Sequence, residues 1–131
     1  MKTNLVVVVC GLAACALFSS VSIAQDVQEV TVQATRILNK KTVGHTSSGI
    51  QIIDVSVAYG VSAADLDLAS HVGALALEKR VRDAAMRACK EITRQYPDAT
   101  PADAECAKAA EDKAMVRVRE LEAAAAKKSG T

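Results

Sequence analysis

Apolar and polar residues alternate along two stretches of this chain and then switch to helical spacing. Val30, Val32 and Ala34 fall on one side of an extended backbone, with Thr31, Gln33 and Thr35 on the other. That is the period of two a half-buried strand requires, and a strand is expected over 27–35. Alternation returns over 50–59, where Ile53, Val55, Val57 and Tyr59 oppose Asp54, Ser56 and Ala58. The intervening 40–49 stretch, with Gly44, Thr46, Ser47, Ser48 and Gly49, has no period and reads as an exposed loop. The two strands are expected to pair as an antiparallel hairpin. A two-stranded sheet is marginal alone, so one face must lie on helices.

Gly60 is expected to close the second strand, and 63–68 to form a transition with one helical turn capped by Ser62. From 70 to 95 the spacing is helical: Leu77, Val81, Ala84, Ala85, Ala88, Ile92 and Tyr96 line one stripe. Pro97 ends this helix, because its ring excludes the α conformation from the residue before it. A second helix is expected to begin with Thr100 as cap and Pro101 at its first position, with Asp103 and Glu105 in the first turn. Cys106, Ala110, Ala114, Val118, Leu121 and Ala125 continue at spacings of three and four. Lys127 and Lys128 suit the negative end of that helix, and Ser129, Gly130 and Thr131 are expected to fray. The fold class is therefore α+β: an N-terminal antiparallel β-hairpin packed on an antiparallel helical hairpin.

The first residues change the composition. Lys2 precedes a continuous apolar or small run from Leu5 to Phe18, and Ser22 and Ala24 stand at the two positions a signal peptidase reads. Residues 1–24 are expected to be a signal peptide cleaved after Ala24, leaving a single domain over 25–131 that starts at Gln25. The apolar run is shorter than the ~20 residues of a membrane span, so no stable transmembrane segment is expected after processing. Leu12-Ala13-Ala14-Cys15 is also spelled like a lipobox, which would make Cys15 a lipidated N-terminus. Against this, apolar residues continue past Cys15. The expected location is the periplasm or the exterior.

Loss of Lys2 leaves 15 basic against 15 acidic residues. That balance gives no excess charge with which to hold nucleic acid. Tyr59 and Tyr96 are the aromatics left, and alanine fills much of the helical half. A thin core of low stability is expected, since alanine buries little area.

Cys10 and Cys15 leave with the leader, so Cys89 and Cys106 remain. An exported chain with an even pair points to one intramolecular disulfide. The two lie at matching distances from the Pro97-Asp98 turn, as facing positions of an antiparallel helical hairpin must. A bridge closing a loop of this length is worth about 3 kcal/mol in the chain-entropy model.

The ordered set Val55-Ser56-Val57-Ala58-Tyr59, Asp65-Leu66-Asp67-Leu68, Gly73, Leu77, Arg80-Val81, Ala84-Ala85, Cys89, Cys106 and Ala109-Ala110 resembles the UrcA family of small exported bacterial proteins. The likeness covers roughly 55–121, and the 40–49 loop has no place in the family pattern. The resemblance implies a small cell-envelope protein of unassigned biochemical role, with no catalytic residues to carry over.

Candidate chemistry is sparse. Cys89 with His71 contains the residue types of a thiol enzyme, but a disulfide removes the thiolate. Eighteen residues along one helix also separate the two by about 27 Å. His45, Ser47, Ser48 and Asp54 contain the types of a hydrolase triad, yet no strained nucleophile turn accompanies them. His45 and His71 lack short metal-ligand spacing. Asp65 and Asp67 are expected to fix the approach to the helix rather than to act as acid and base. The 29–36 stretch is reminiscent of the energy-coupling segment of outer-membrane receptors, but an amphipathic strand has the same letters. Lys113, Arg117, Arg119, Lys127 and Lys128 alternate with Asp112, Glu120 and Glu122, as on a solvated helix face.

No catalytic residue, cofactor or metal site is therefore assigned. The expected function is that of a non-enzymatic envelope protein acting on an unknown protein partner or on itself as a homo-oligomer. The alternative is a periplasmic small-ligand or metal-ion binder.

Overall fold

The computed structural model describes residues 28–41 and 50–130. The leader with its cleavage site after Ala24, Cys10, Cys15, and the loop residues His45, Ser47 and Ser48 lie outside the described residues. Two strands, β1 (Glu29–Lys41) and β2 (Ile50–Ser62), precede two helices, α1 (His71–Gln95) and α2 (Asp103–Ser129). The fold is α+β, an antiparallel hairpin against a disulfide-linked helical hairpin.

The strands pair along their full length, from Glu29 opposite Ser62 to Lys41 opposite Ile50. Both outrun their sequence-read ends. Gly60 does not close β2; it pairs with Thr31, and Val61 and Ser62 continue the ladder. Pairing between strands thus extends the extended conformation past the residues whose alternation announces it. Alternation still decides the faces. Val30, Val32, Ala34 and Arg36 of β1 are buried under the helices, while Thr31, Gln33 and Thr35 are exposed.

Between sheet and helix, 63–68 forms turns rather than a helical turn. The Ser62 hydroxyl accepts from Ala64 N at 3.3 Å, and Leu66 N donates to Ala63 O at 3.0 Å. Ser70 then caps α1, its hydroxyl accepting from Gly73 N at 3.1 Å. The expected stripe of α1 is buried from Leu77 through Ile92, and Tyr96 at its C-cap is exposed.

The start of α2 differs from the sequence reading. Ala102, not Thr100, is the N-cap, and it makes no side-chain cap bond. Thr100 is held by the sheet: Ile37 N donates to Thr100 O at 2.7 Å and Thr100 N to Ile37 O at 2.9 Å. This bridge keeps residue 100 extended beside β1, so the helix starts at Asp103 and Pro101 stays outside it. Cys106, Ala110, Ala114, Val118 and Leu121 form its buried stripe, as their spacing predicts. Among the described residues, nine of the twenty buried apolar ones are alanine, which makes the core thin. No helix among the described residues is long and apolar enough to cross a membrane.

Candidate functional site

The cysteines are stapled, not free. Cys89 and Cys106 form a disulfide with Cα atoms 6.0 Å apart, and both are buried. His71 stands exposed at the first residue of α1, eighteen residues from Cys89 on the same helix. The structure does not bring the two together. Among the described residues no three His, Cys, Asp or Glu side chains converge as a metal site.

The acidic block before α1 serves the backbone. Asp67 Oδ1 accepts from Ala69 N at 3.1 Å, and its carbonyl accepts from Ser70 N at 3.1 Å and Ser70 Oγ at 2.7 Å. Gly73 packs on this turn, where a Cβ would lie 2.6 Å from the Asp67 carbonyl carbon. Asp65 pairs bidentately with Arg80, at 2.7 and 2.6 Å, while Arg80 also donates to Ser62 O at 3.0 Å. Those charge-assisted bonds hold the Asp65 carboxyl at about 2, below its ordinary 3.8. Both carboxylates therefore fix the approach to the helix, as the sequence suggests.

One polar cluster is not anticipated from the sequence. Arg36 is 3% exposed, the one buried charged residue among those described. It continues the buried face of β1 beyond Ala34. Its guanidinium donates to Asp103 Oδ1 at 2.8 Å, Ala99 O at 2.5 Å, Cys89 O at 3.4 Å and the Thr93 hydroxyl. Thr93 Oγ1 in turn donates to Asp103 Oδ1 at 2.5 Å. One side chain thus ties β1 to both helices and to the turn between them, beside the disulfide. The signal available in the sequence was the even-numbered register of 30, 32, 34 and 36. A charge in that series suggests the end of a buried face, and the buried acceptors that reverse this reading are 53 to 67 residues distant. Both terminal guanidinium nitrogens are taken by these partners, while Arg36 Nε is buried without one among the described residues.

Two surface clefts accompany it. One of about 340 Å³ lies between the 66–69 turn and the end of α2, lined by Leu66, Asp67, Leu121 and Lys128 among others. The other, about 520 Å³, lies between the end of β2 and Arg80, Asp83 and Arg87 of α1. At its side the Arg87 guanidinium sits 5.2 Å from the centre of the Tyr59 ring.

The remaining feature is an edge. Gln28 O accepts from Ala63 N at 2.7 Å, so even-numbered residues of β1 bond to odd-numbered residues of β2. The opposite set points away, as the Ile37–Thr100 bridge confirms for β1. On β2 the outward set is Ile52, Asp54, Ser56, Ala58, Gly60 and Ser62. Arg80 takes the Ser62 carbonyl. From Ile52 to Gly60, no donor or acceptor among the described residues reaches the outward backbone groups.

The apolar side chains of β2 are also partly uncovered. Val30, Val32 and Ala34 of β1 are fully buried, whereas Val55, Val57 and Tyr59 are half-buried and Ile53 is 37% exposed. Natural edge strands are blunted by lysine, proline, bulges or covering loops. The run from Ile52 to Gly60 has neither residue type, and its one charge is Asp54. No family model, curated protein or solved structure matches the chain.

Proposed function

We propose that this chain is a non-enzymatic, exported cell-envelope protein of the UrcA type that works by protein–protein contact, self-association included. The observation that carries this reading is the β2 edge: backbone groups that no described residue pairs run alongside half-covered apolar side chains. Such an edge is the template to which extended segments add as a further strand. The buried disulfide supports export, because bridges of this kind persist in oxidising compartments. Three of the groups singled out in the sequence support a structural role, since Asp65, Asp67 and Cys89 are each engaged by the fold itself.

Native mass spectrometry of the protein purified from the periplasm tests the reading. The expected species is processed at Gln25, carries the Cys89–Cys106 bridge, and weighs either a multiple of the chain or the chain plus a second protein. A monomer that retains a metal ion or small molecule would favour the ligand-binding alternative instead. Acylated Cys15 would place the protein on a lipid anchor.

A further inference from the structure

We infer that a second copy of this chain docks on β2, strand against strand and antiparallel, about a two-fold axis at Ser56. The inference rests on the protein-binding reading above and names the partner. Three observations select a second copy.

The first is the pattern of β2 itself. About Ser56 the inner face reads Ile53 and Val55 on one side, Val57 and Tyr59 on the other. A strand whose apolar positions are symmetric about one residue meets its own copy with like opposite like. Val55 then faces Val57 of the copy, and Ile53 faces Tyr59. Of these side chains the protomer leaves Val55, Val57 and Tyr59 half-buried and Ile53 exposed. Cross-strand pairs of aliphatic and aromatic residues are favourable.

The second is charge. Asp54 is the one ionic group between Ile52 and Gly60. A two-fold axis at Asp54 would oppose two carboxylates, which is destabilising. The axis at Ser56 sets Asp54 against Ala58 of the copy and Ile52 against Gly60. The outer face thereby meets small residues without a like-charge contact.

The third is the hydrogen-bond inventory. Ile52, Asp54, Ser56, Ala58 and Gly60 all present N–H and C=O outward, and in this register each meets another member of the set. Each such pair exchanges two bonds, giving about ten backbone hydrogen bonds, the number a typical stable interface carries. The outer edge of β1 offers less. Thr100 crosses it at Ile37, and the inward side chains beside it are already buried. An isologous contact at β2 closes after two copies and joins the hairpins into one four-stranded sheet.

Sedimentation velocity on the mature chain is the test, with Ser56→Pro as the variant. Position 56 points its N–H outward, so proline there removes no bond to β1 and fits an edge strand. The expected result is a dimer that Ser56→Pro converts to a monomer with unchanged circular dichroism. Ser56→Cys provides a second test that does not depend on the proline variant folding. Paired residues on the axis lie about 5.5 Å apart, within disulfide reach. Mild oxidation should therefore double the mass of Ser56→Cys. It should leave Ala58→Cys monomeric under denaturing conditions, because its copies lie about 14 Å apart along the strand.

A dimer that survives Ser56→Pro and does not cross-link through Ser56→Cys would overturn the β2 axis while leaving self-association standing. A monomer that copurifies with a different protein would overturn the second copy but not the binding reading. A monomer with a bound small molecule and no protein would overturn both.

Discussion

The Arg36 guanidinium and the Asp103 carboxylate meet at 2.8 Å, across 67 residues of sequence, where β1 touches the first turn of α2. Arg36 is almost wholly buried, whereas the Asp103 side chain is 34% exposed. The asymmetry predicts unequal costs. Asp103→Ala strands a guanidinium away from water and should cost about 3 kcal/mol. Arg36→Met fills the space without a buried charge and leaves Asp103 able to hydrate, so about 1–2 kcal/mol is expected. Urea midpoints at constant m-value measure both. The reverse order would show that Arg36 is reached by water.

The bridge between Cys89 and Cys106 lies beside this cluster, and Cys89 O is one of the acceptors of Arg36. Cys89→Ser should cost about 2–5 kcal/mol, the range for losing a native bridge in a small secreted domain. Reduction of the wild-type protein should lower its melting temperature accordingly. An unmoved melting temperature would mean that the core of small residues holds the helices without help.

Gly73 is required by a close approach, not by its backbone angles. Alanine there would gain about 1 kcal/mol in helix propensity. It would also press on the Asp67 carbonyl, which belongs to a hydrogen-bonded turn and cannot swing aside. Overpacking of this kind costs about 1–3 kcal/mol, so Gly73→Ala should be destabilising. Gly60 is the contrast. A Cβ at that position meets the flexible end of the Glu29 side chain. Gly60→Ala should therefore stay within about 0.5 kcal/mol of wild type. Thermal unfolding of the two variants side by side checks the distinction.

Asp65 gives a pH signature. Its hydrogen bonds from Arg80 lower the folded-state value to about 2 from 3.8. A carboxylate with a depressed folded value stabilises fully above its unfolded value and loses that contribution as pH falls through the folded one. The melting temperature of wild type should thus exceed that of Asp65→Asn above pH 4, and the gap should close as pH approaches 2. The pair is exposed, so the gap should be small and should shrink further in salt. A constant gap across this window would remove Asp65 as its origin.

Much of the architecture was written in local periods. The twofold spacing of Val30 to Ala34 and of Ile53 to Tyr59 placed both strands and the face each turns toward the helices. The three-and-four spacing of Leu77 to Ile92 and of Cys106 to Leu121 placed both helices. Cys89 and Cys106 could be paired from their symmetry about Pro97.

What local reading missed was settled by distant partners. Thr100 has the residue type of a helix cap, but its backbone is taken by Ile37. Gly60 has the type of a strand breaker, but the Thr31 ladder carries β2 through it. Arg36 has the type of a surface residue, but Ala99, Thr93 and Asp103 gather around it. Each depends on contacts that no window of neighbouring residues contains. The β2 edge was hidden for the same reason, since which strand lacks a neighbour is a property of the whole sheet.

Amide hydrogen exchange along β2, followed by NMR as a function of protein concentration, tests that edge most directly. In dilute solution the odd-numbered amides Ile53, Val55, Val57 and Tyr59 should be protected by β1, and Asp54, Ser56, Ala58 and Gly60 should exchange fast. On raising the concentration the even-numbered set should gain protection together. Even-numbered amides that are protected in a sample shown by sedimentation to be monomeric would contradict the account, because the chain would then be covering β2 itself.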